Sequence, residues 1–207
     1  MGRPQRMAIF LHGKMLPVRD LSFETLSVIE SATIRADMID FWQRNTEAGA
    51  AIGAQAGDPL SHYEALLADH EKAMTEGKAW LCVMRDADSG DLLGFAWWAL
   101  GVPEGQPEHI ATIKRLQLHP ERQGEGLGKA LLDYLHSESV LNRLGDQVDF
   151  LHLQFRAGRG LGRLYAKYGY EMNLRWDMIR KNEAGEYDGW IEMIRRRDGQ
   201  PMPEVRW

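Results

Sequence analysis

Cysteine occurs once in the 207 residues. Cys82 therefore has no partner for an internal disulfide, and the chain reads as belonging to a reducing compartment, with the cytoplasm as the expected location. Set in the apolar stretch from Ala79 to Met84, it reads as a buried, inert thiol. Long hydrophobic runs are missing too: Phe95 to Leu100, which no run exceeds, has six residues where a membrane helix needs about 20, so no span is expected. Near the N-terminus, Met7 to Leu11 is too short for a secretory core, and Arg6 stands where a myristoylation signal needs Ser or Thr. Positive charge is not in excess: 25 Lys+Arg against 30 Asp+Glu leave −5, which argues against nucleic acid as a partner. The seven histidines include no i, i+4 pair and no cysteine neighbour, so no metal is expected. There is no internal repeat and no low-complexity tract.

What is present suits one globular domain, with 44% hydrophobic and 27% charged residues. After an extended opening at Met15 to Asp20, Ile34, Met38, Phe41 and Trp42 recur at i, i+4, i+7 and i+8, predicting an amphipathic helix that stops near Asn45. Residues 48–57 have no period and read as a mobile loop. Ser61 and Glu64 form a capping box for a second helix through Tyr63, Leu67 and Met74, with Gly77 past its end. From Ala79 the pattern turns to strands: a hairpin of Ala79 to Arg85 and Leu92 to Leu100, a Gly/Pro loop from Gly101 to Pro107, and a strand from Ile110 to Leu118. A helix carrying Leu127 to Leu135, a strand from Val148 to Phe155 and a short helix through Leu161 to Tyr168 follow. Two strands, about Glu171 to Ile179 and Trp190 to Arg196, joined by Lys181 to Gly189, close the pattern. The order β-α-α-β-β-β-α-β-α-β-β predicts an α/β protein with helices packed on a mixed sheet.

Gln123-Gly124-Glu125-Gly126-Leu127-Gly128-Lys129 joins a strand to a helix. Glycine at alternate positions permits a tight turn and close approach of a ligand, and the first N–H groups of the helix point outward, which makes an anion site. A phosphate loop of the GxxxxGK[ST] kind fails, because Gln123 and Ala130 occupy its glycine and hydroxyl positions; the GxGxxG dinucleotide spacing fails too, the glycines being two and two apart.

Gln123-x-x-Gly126-x-Gly128, before Lys-Ala-Leu-Leu, resembles the pyrophosphate motif of the GCN5-related N-acetyltransferases (GNAT). Arg163-Leu-Tyr-Ala-Lys-Tyr-Gly-Tyr170 is similar to that family's (F/L)-Y-x-K-x-G-(F/Y) segment. The resemblance covers residues 15–197, leaving an N-terminal extension at 1–14 and a tail at 198–207. With the Ala-Gly before the last helix and the N-terminal helical pair, it looks most like the tabtoxin-resistance type, which acetylates small molecules. It implies a mostly antiparallel sheet of about seven strands flanked by about four helices, splayed between the strands Ile110 to Leu118 and Val148 to Phe155. Acetyl-CoA would be wedged there, its pantetheine arm paired with Leu116, Gln117 and Leu118 and its pyrophosphate held by Gln123, Gly124, Glu125, Gly126, Leu127, Gly128 and Lys129. By position, Tyr165 corresponds to the family's proton donor to the leaving thiolate.

The resemblance breaks where carboxylates are expected, since Thr112 and Gln154 occupy those positions. His152 is the candidate base, with His119, and Glu24 and Asp37 on the first helix, as alternatives. Glu125 beside a pyrophosphate is expected to turn to solvent, with Arg122, Lys129, Arg159 and Arg163 as offsetting charges. The activity implied is acetyl transfer from acetyl-CoA to a primary amine, with a homodimer as a possible state. The alternatives are a catalytically weak acyl-CoA sensor or scaffold, and transfer to a protein lysine or N-terminus.

Overall fold

The computed structural model describes residues 5–7, 10–11, 14–15, 19–48, 54–101, 106–157, 160–181 and 187–204. Half of the expected 48–57 loop, most of the 101–107 loop, Arg159 and the middle of the 181–189 connection lie outside them. Short strands β1 (Gln5–Met7), β2 (Phe10–Leu11) and β3 (Lys14–Met15) precede β4 (Arg19–Leu26). Helices α1 (Ala32–Glu47) and α2 (Leu60–Thr75) lead to β5 (Ala79–Asp86), β6 (Leu92–Leu100) and β7 (Ile110–Leu118). Then come α3 (Leu127–Leu135), α4 (Glu138–Leu141), β8 (Phe150–Arg156), α5 (Leu161–Ala166), β9 (Glu171–Lys181) and β10 (Tyr187–Arg196). Among the described residues eight strands form a mixed sheet in the order β1-β4-β5-β6-β7-β8-β10-β9, and β2 pairs with β3 apart from it.

Several sequence boundaries are corrected. Residues 16–18 of the expected opening, Met15 to Asp20, lie outside the described residues, and its last two residues begin β4, where Leu21 is buried and antiparallel pairing with β5 runs from Leu21–Asp86 to Leu26–Leu81. Ser31 caps α1 by accepting from the Ile34 N–H. The Ser61/Glu64 box caps nothing: α2 starts one residue before Ser61, with Pro59 at its N-cap and no side-chain cap. The short helix α4 had no periodic signal.

The chain divides into two compact units. The first contains the residues up to Trp98 and Arg115–Arg143. Its core explains why β6 is apolar throughout: every residue of the strand is buried. Consecutive strand residues point to opposite faces. Trp97 stacks on His70 of α2 with ring centroids 4.4 Å apart, while Trp98 Nε1 donates to the Leu135 carbonyl of α3 at 3.1 Å. The α1/α2 pair and α3 therefore cover opposite faces. Trp42 joins α1 to α2 through an edge contact with Tyr63. Cys82 is fully buried on β5, and burial pushes its thiol up to about 11, as expected of an inert cysteine.

The second unit contains Ala99–Lys114 and the residues from Leu144 onward. Here β10 pairs antiparallel with β8 on one side and β9 on the other. The parallel ladder between β7 and β8 is short, running from Ile110–Phe150 to Ile113–Leu153. Among the described residues no helix is long and apolar enough to cross a membrane.

Candidate active site

In the first unit, β7 runs into the glycine-rich turn. Arg115 has φ +51°, a left-handed backbone that costs a non-glycine residue about 1–2 kcal/mol. Its guanidinium lies 4.8 Å from the centre of the Trp42 ring, a cation–π contact. Burial pushes its pKa down to about 10, which still leaves it charged at neutral pH. Beyond it, Leu116 and Leu118 are half-buried and Gln117 is buried. His119 caps the 3-10 turn Pro120–Arg122, its Nδ1 accepting from the Glu121 N–H at 3.3 Å. That bond occupies the lone pair a base would need.

The three glycines serve different needs. Gly124 and Gly126 have φ of +86° and +81°, which side-chain-bearing residues rarely adopt. Gly128 is inside α3, where a Cβ would stand 3.3 Å from the Leu118 side chain. Gly126 is the N-cap of α3 and offers no side-chain cap. The first N–H groups of a helix lack intrahelical partners, so the start of α3 is left as a concentrated donor end carrying the positive pole of the dipole. Glu125 does not turn to solvent as expected: it is half-buried and accepts from Arg122 Nε at 2.8 Å, which neutralises it beside the turn. Lys129 is exposed and pairs with Asp133 at 2.6 Å.

One buried residue ties this region together. Asn45, in the last turn of α1 and 1% exposed, donates from Nδ2 to Gln117 Oε1 (2.8 Å) and to the Leu118 carbonyl (2.9 Å). Its Oδ1 accepts from Gln123 Nε2 at 2.9 Å. The end of β7 and the first residue of the turn are thus clamped by one amide.

In the second unit, Thr112, His152, Gln154 and Glu192 share one face. Thr112 pairs with His152 in the β7–β8 ladder, and Gln154 with Glu192 in the β8–β10 ladder. Thr112 Oγ1 donates to Gln106 Oε1 (3.0 Å) and lies 3.1 Å from His152 Nδ1. His152 Nε2 faces Glu192 Oε2 at 3.5 Å, and Gln154 Nε2 donates to Glu192 Oε1 at 2.8 Å. Burial holds His152 below its ordinary pKa and Lys114 adds to this, while the Glu192 carboxylate opposes them. Tyr165, on α5, is buried between Phe155 and Tyr170, and burial pushes its phenol up to about 12.

A family model described as an acetyltransferase (GNAT) domain matches residues 76–172. This stretch, just under half of the chain, is similar to a GNAT acetyltransferase domain. No curated protein matches the sequence. Solved structures do. YncA of Salmonella typhimurium, determined with its cofactor acetyl-CoA, is 15% identical with a TM-score of 0.68 over 90% of this chain and 99% of its own. The ribosomal-protein-alanine N-acetyltransferase of Brucella melitensis is 16% identical with a TM-score of 0.65, covering 84% of this chain and 99% of its own. The ribosomal-protein-S18-alanine N-acetyltransferase of Escherichia coli is 18% identical with a TM-score of 0.61, covering 90% and 99%. At these identities the likeness is one of fold.

Within the GNAT frame, the residues expected to hold the coenzyme, Leu116 to Leu118 and Gln123 to Lys129, follow one another through the end of β7, the turn and the first turn of α3. Among the candidate bases, Glu24 is not on the first helix; it lies on β4 and lines a cavity of about 510 Å³ with Arg85, Tyr134 and Arg143. Asp37 is on α1 as expected. Arg163 is exposed on α5. Asn45 and Glu192 escaped the sequence reading, yet each carried a signal. Asn45 continues the apolar stripe of Phe41 and Trp42 at i+4 and i+3, and Glu192 shares a strand face with Trp190 and Ile194. A polar residue on an apolar face is the informative exception. Among the described residues no group of three or more His, Cys, Asp or Glu side chains could hold a metal ion.

Proposed function

We propose that the protein transfers an acetyl group from acetyl-CoA to a primary amine of a small molecule, the amine attacking the thioester directly in a ternary complex. The carrying observation is the turn itself: two left-handed glycines deliver β7 to an uncapped nine-residue helix, a donor end suited to a pyrophosphate. In this reading, backbone groups of Leu116, Gln117 and Leu118 pair with the pantetheine arm and the Gln123–Lys129 turn holds the phosphates. Tyr165 supplies a hydrogen to the leaving thiolate, and His152 belongs to the group that deprotonates the amine.

Transfer to a protein N-terminus is the second reading, favoured by two ribosomal-protein-alanine N-acetyltransferases among the structures of the same fold. An acyl-CoA sensor is the third, and turnover separates it from both. The protein, probed with acetyl-CoA and a panel of small amines and N-terminal peptides with detection of the released thiol, should turn over a small amine best. Gly126→Val places a β-branched side chain at φ +81°, where the ligand must approach. Calorimetry should show acetyl-CoA binding weakened at least about tenfold, or about 1.4 kcal/mol. A folded variant with unchanged affinity would remove the turn from the site.

A further inference from the structure

We infer that Glu192 is the residue that takes the proton from the amine, with His152 behind it as the group that stores it. The inference rests on the acetyltransferase reading above and deepens it. Thr112 has one hydroxyl hydrogen, and it goes to Gln106 Oε1. At 3.1 Å the remaining partner, His152 Nδ1, must therefore be the donor and Thr112 Oγ1 the acceptor. This fixes the tautomer: neutral His152 carries its hydrogen on Nδ1 and a lone pair on Nε2. That lone pair faces Glu192 Oε2 at 3.5 Å, so the two acceptors have a place for one proton between them.

Exposure distinguishes the two ends of the chain. The His152 side chain is 4% exposed and that of Glu192 21%, so a proton arriving from outside meets the carboxylate first. The step balances simply. An ammonium R–NH3+ breaks one N–H bond and gives the proton to a Glu192 oxygen, which passes it to His152 Nε2. The products are the free amine R–NH2, with its electron pair available for the thioester carbon, and an imidazolium–carboxylate pair in place of an imidazole and a carboxylate. The proton later leaves to solvent through Glu192.

The surroundings suit this cycle. Thr112 and Gln106 hold the imidazole from the β7 side, Gln154 fixes the other carboxylate oxygen, and Lys114 disfavours the charged imidazole. Burial acts in the same direction as Lys114 and keeps the relay in its proton-accepting form near neutral pH; the Glu192 carboxylate makes the imidazolium attainable once the proton arrives. Thr112 and Gln154, standing where carboxylates were expected, are then the two clamps of a relay whose carboxylate comes from the neighbouring strand.

Glu192→Gln tests this, since it keeps the shape and can still accept from Gln154. Calorimetry should show acetyl-CoA binding within about twofold of wild type, while kcat for the best amine falls by about 10²-fold or more and the acid limb of kcat/KM moves or disappears. Independently of turnover, nitrogen NMR of His152, assigned by its loss in His152→Gln, should show the Nδ1–H tautomer in wild type. In Glu192→Gln its titration should move to lower pH, because the carboxylate that favoured the imidazolium is gone. A His152 titration unchanged by Glu192→Gln overturns the pair. A variant that binds acetyl-CoA and keeps wild-type kcat and acid limb overturns Glu192 as proton acceptor. A wild-type protein that binds acetyl-CoA yet acetylates no amine overturns the transferase reading itself, and with it the base, while the NMR shift would still report the pair.

Discussion

Tyr165 carries a phenol that burial pushes up to about 12, whereas a thiol ordinarily titrates near about 8.5. The gap, between three and four units, is roughly 5 kcal/mol against complete transfer of the proton. A buried Tyr165 is therefore suited to hydrogen-bonding the sulfur as charge develops, with the proton following as the carbon–sulfur bond breaks. Its ring packs between Phe155 and Tyr170. Tyr165→Phe retains that packing and removes only the hydroxyl. We expect acetyl-CoA affinity and melting temperature to stay near wild type while kcat falls by about 10²-fold. With burial holding the phenol near about 12, the wild-type kcat profile should show no loss from its ionisation up to about pH 10. Wild-type kcat in the Phe variant, with chemistry rate-limiting, would return Tyr165 to a packing role.

At the scale of elements, the clamp by Asn45 couples α1 to the turn. Asn45→Ala leaves Gln117 Oε1 and the Leu118 carbonyl without their donor and Gln123 without its acceptor. Gln117 is buried, Leu118 half-buried and Gln123 exposed, so the loss is that of about one buried group, about 1–3 kcal/mol, and melting should fall by roughly 2–12 °C in a domain of this size. Acetyl-CoA should also bind several-fold more weakly as the turn loses its anchor; scanning calorimetry and titration calorimetry read the two effects. A variant that melts and binds like wild type would mark the clamp as idle. The same residue shows where sequence reading stops. The turn was legible because alternating glycines, a preceding strand and a following helix are all local. The amide clamp joins residues 72 and 78 positions apart, and the Gln154–Glu192 bond spans 38. Such partners follow from strand register and helix packing, which no short window contains. The capping box at Ser61 failed for a related reason: the helix already begins at Leu60, behind Pro59. Length and apolar pattern were enough for the eight-stranded sheet to be expected at about seven, the extra strand being the three-residue β1.

For the molecule as a whole, β9 ends the sheet order and brings an apolar surface to that edge. Met172 is 64%, Leu174 37% and Trp176 52% exposed, large side chains on a strand that, among the described residues, has a neighbour, β10, on one side only. Edge strands in soluble proteins are normally blunted by charge or cover; on β9 the exposed charges of Glu171 and Arg175 alternate with the apolar residues, which form a stripe of their own that invites association. A second copy of this chain is the occupant proposed here, since an edge meets its own two-fold image antiparallel and the same patch then buries itself. Sedimentation velocity at micromolar protein should therefore report a dimer. Trp176→Asp, which sets a charge in the middle of the self-paired stripe, should shift it to monomer while leaving acetyl-CoA affinity within about twofold, a change of less than 1 kcal/mol. A wild-type protein that sediments as a monomer at tens of micromolar, or a Trp176→Asp protein that remains dimeric, would rule out a β9 interface.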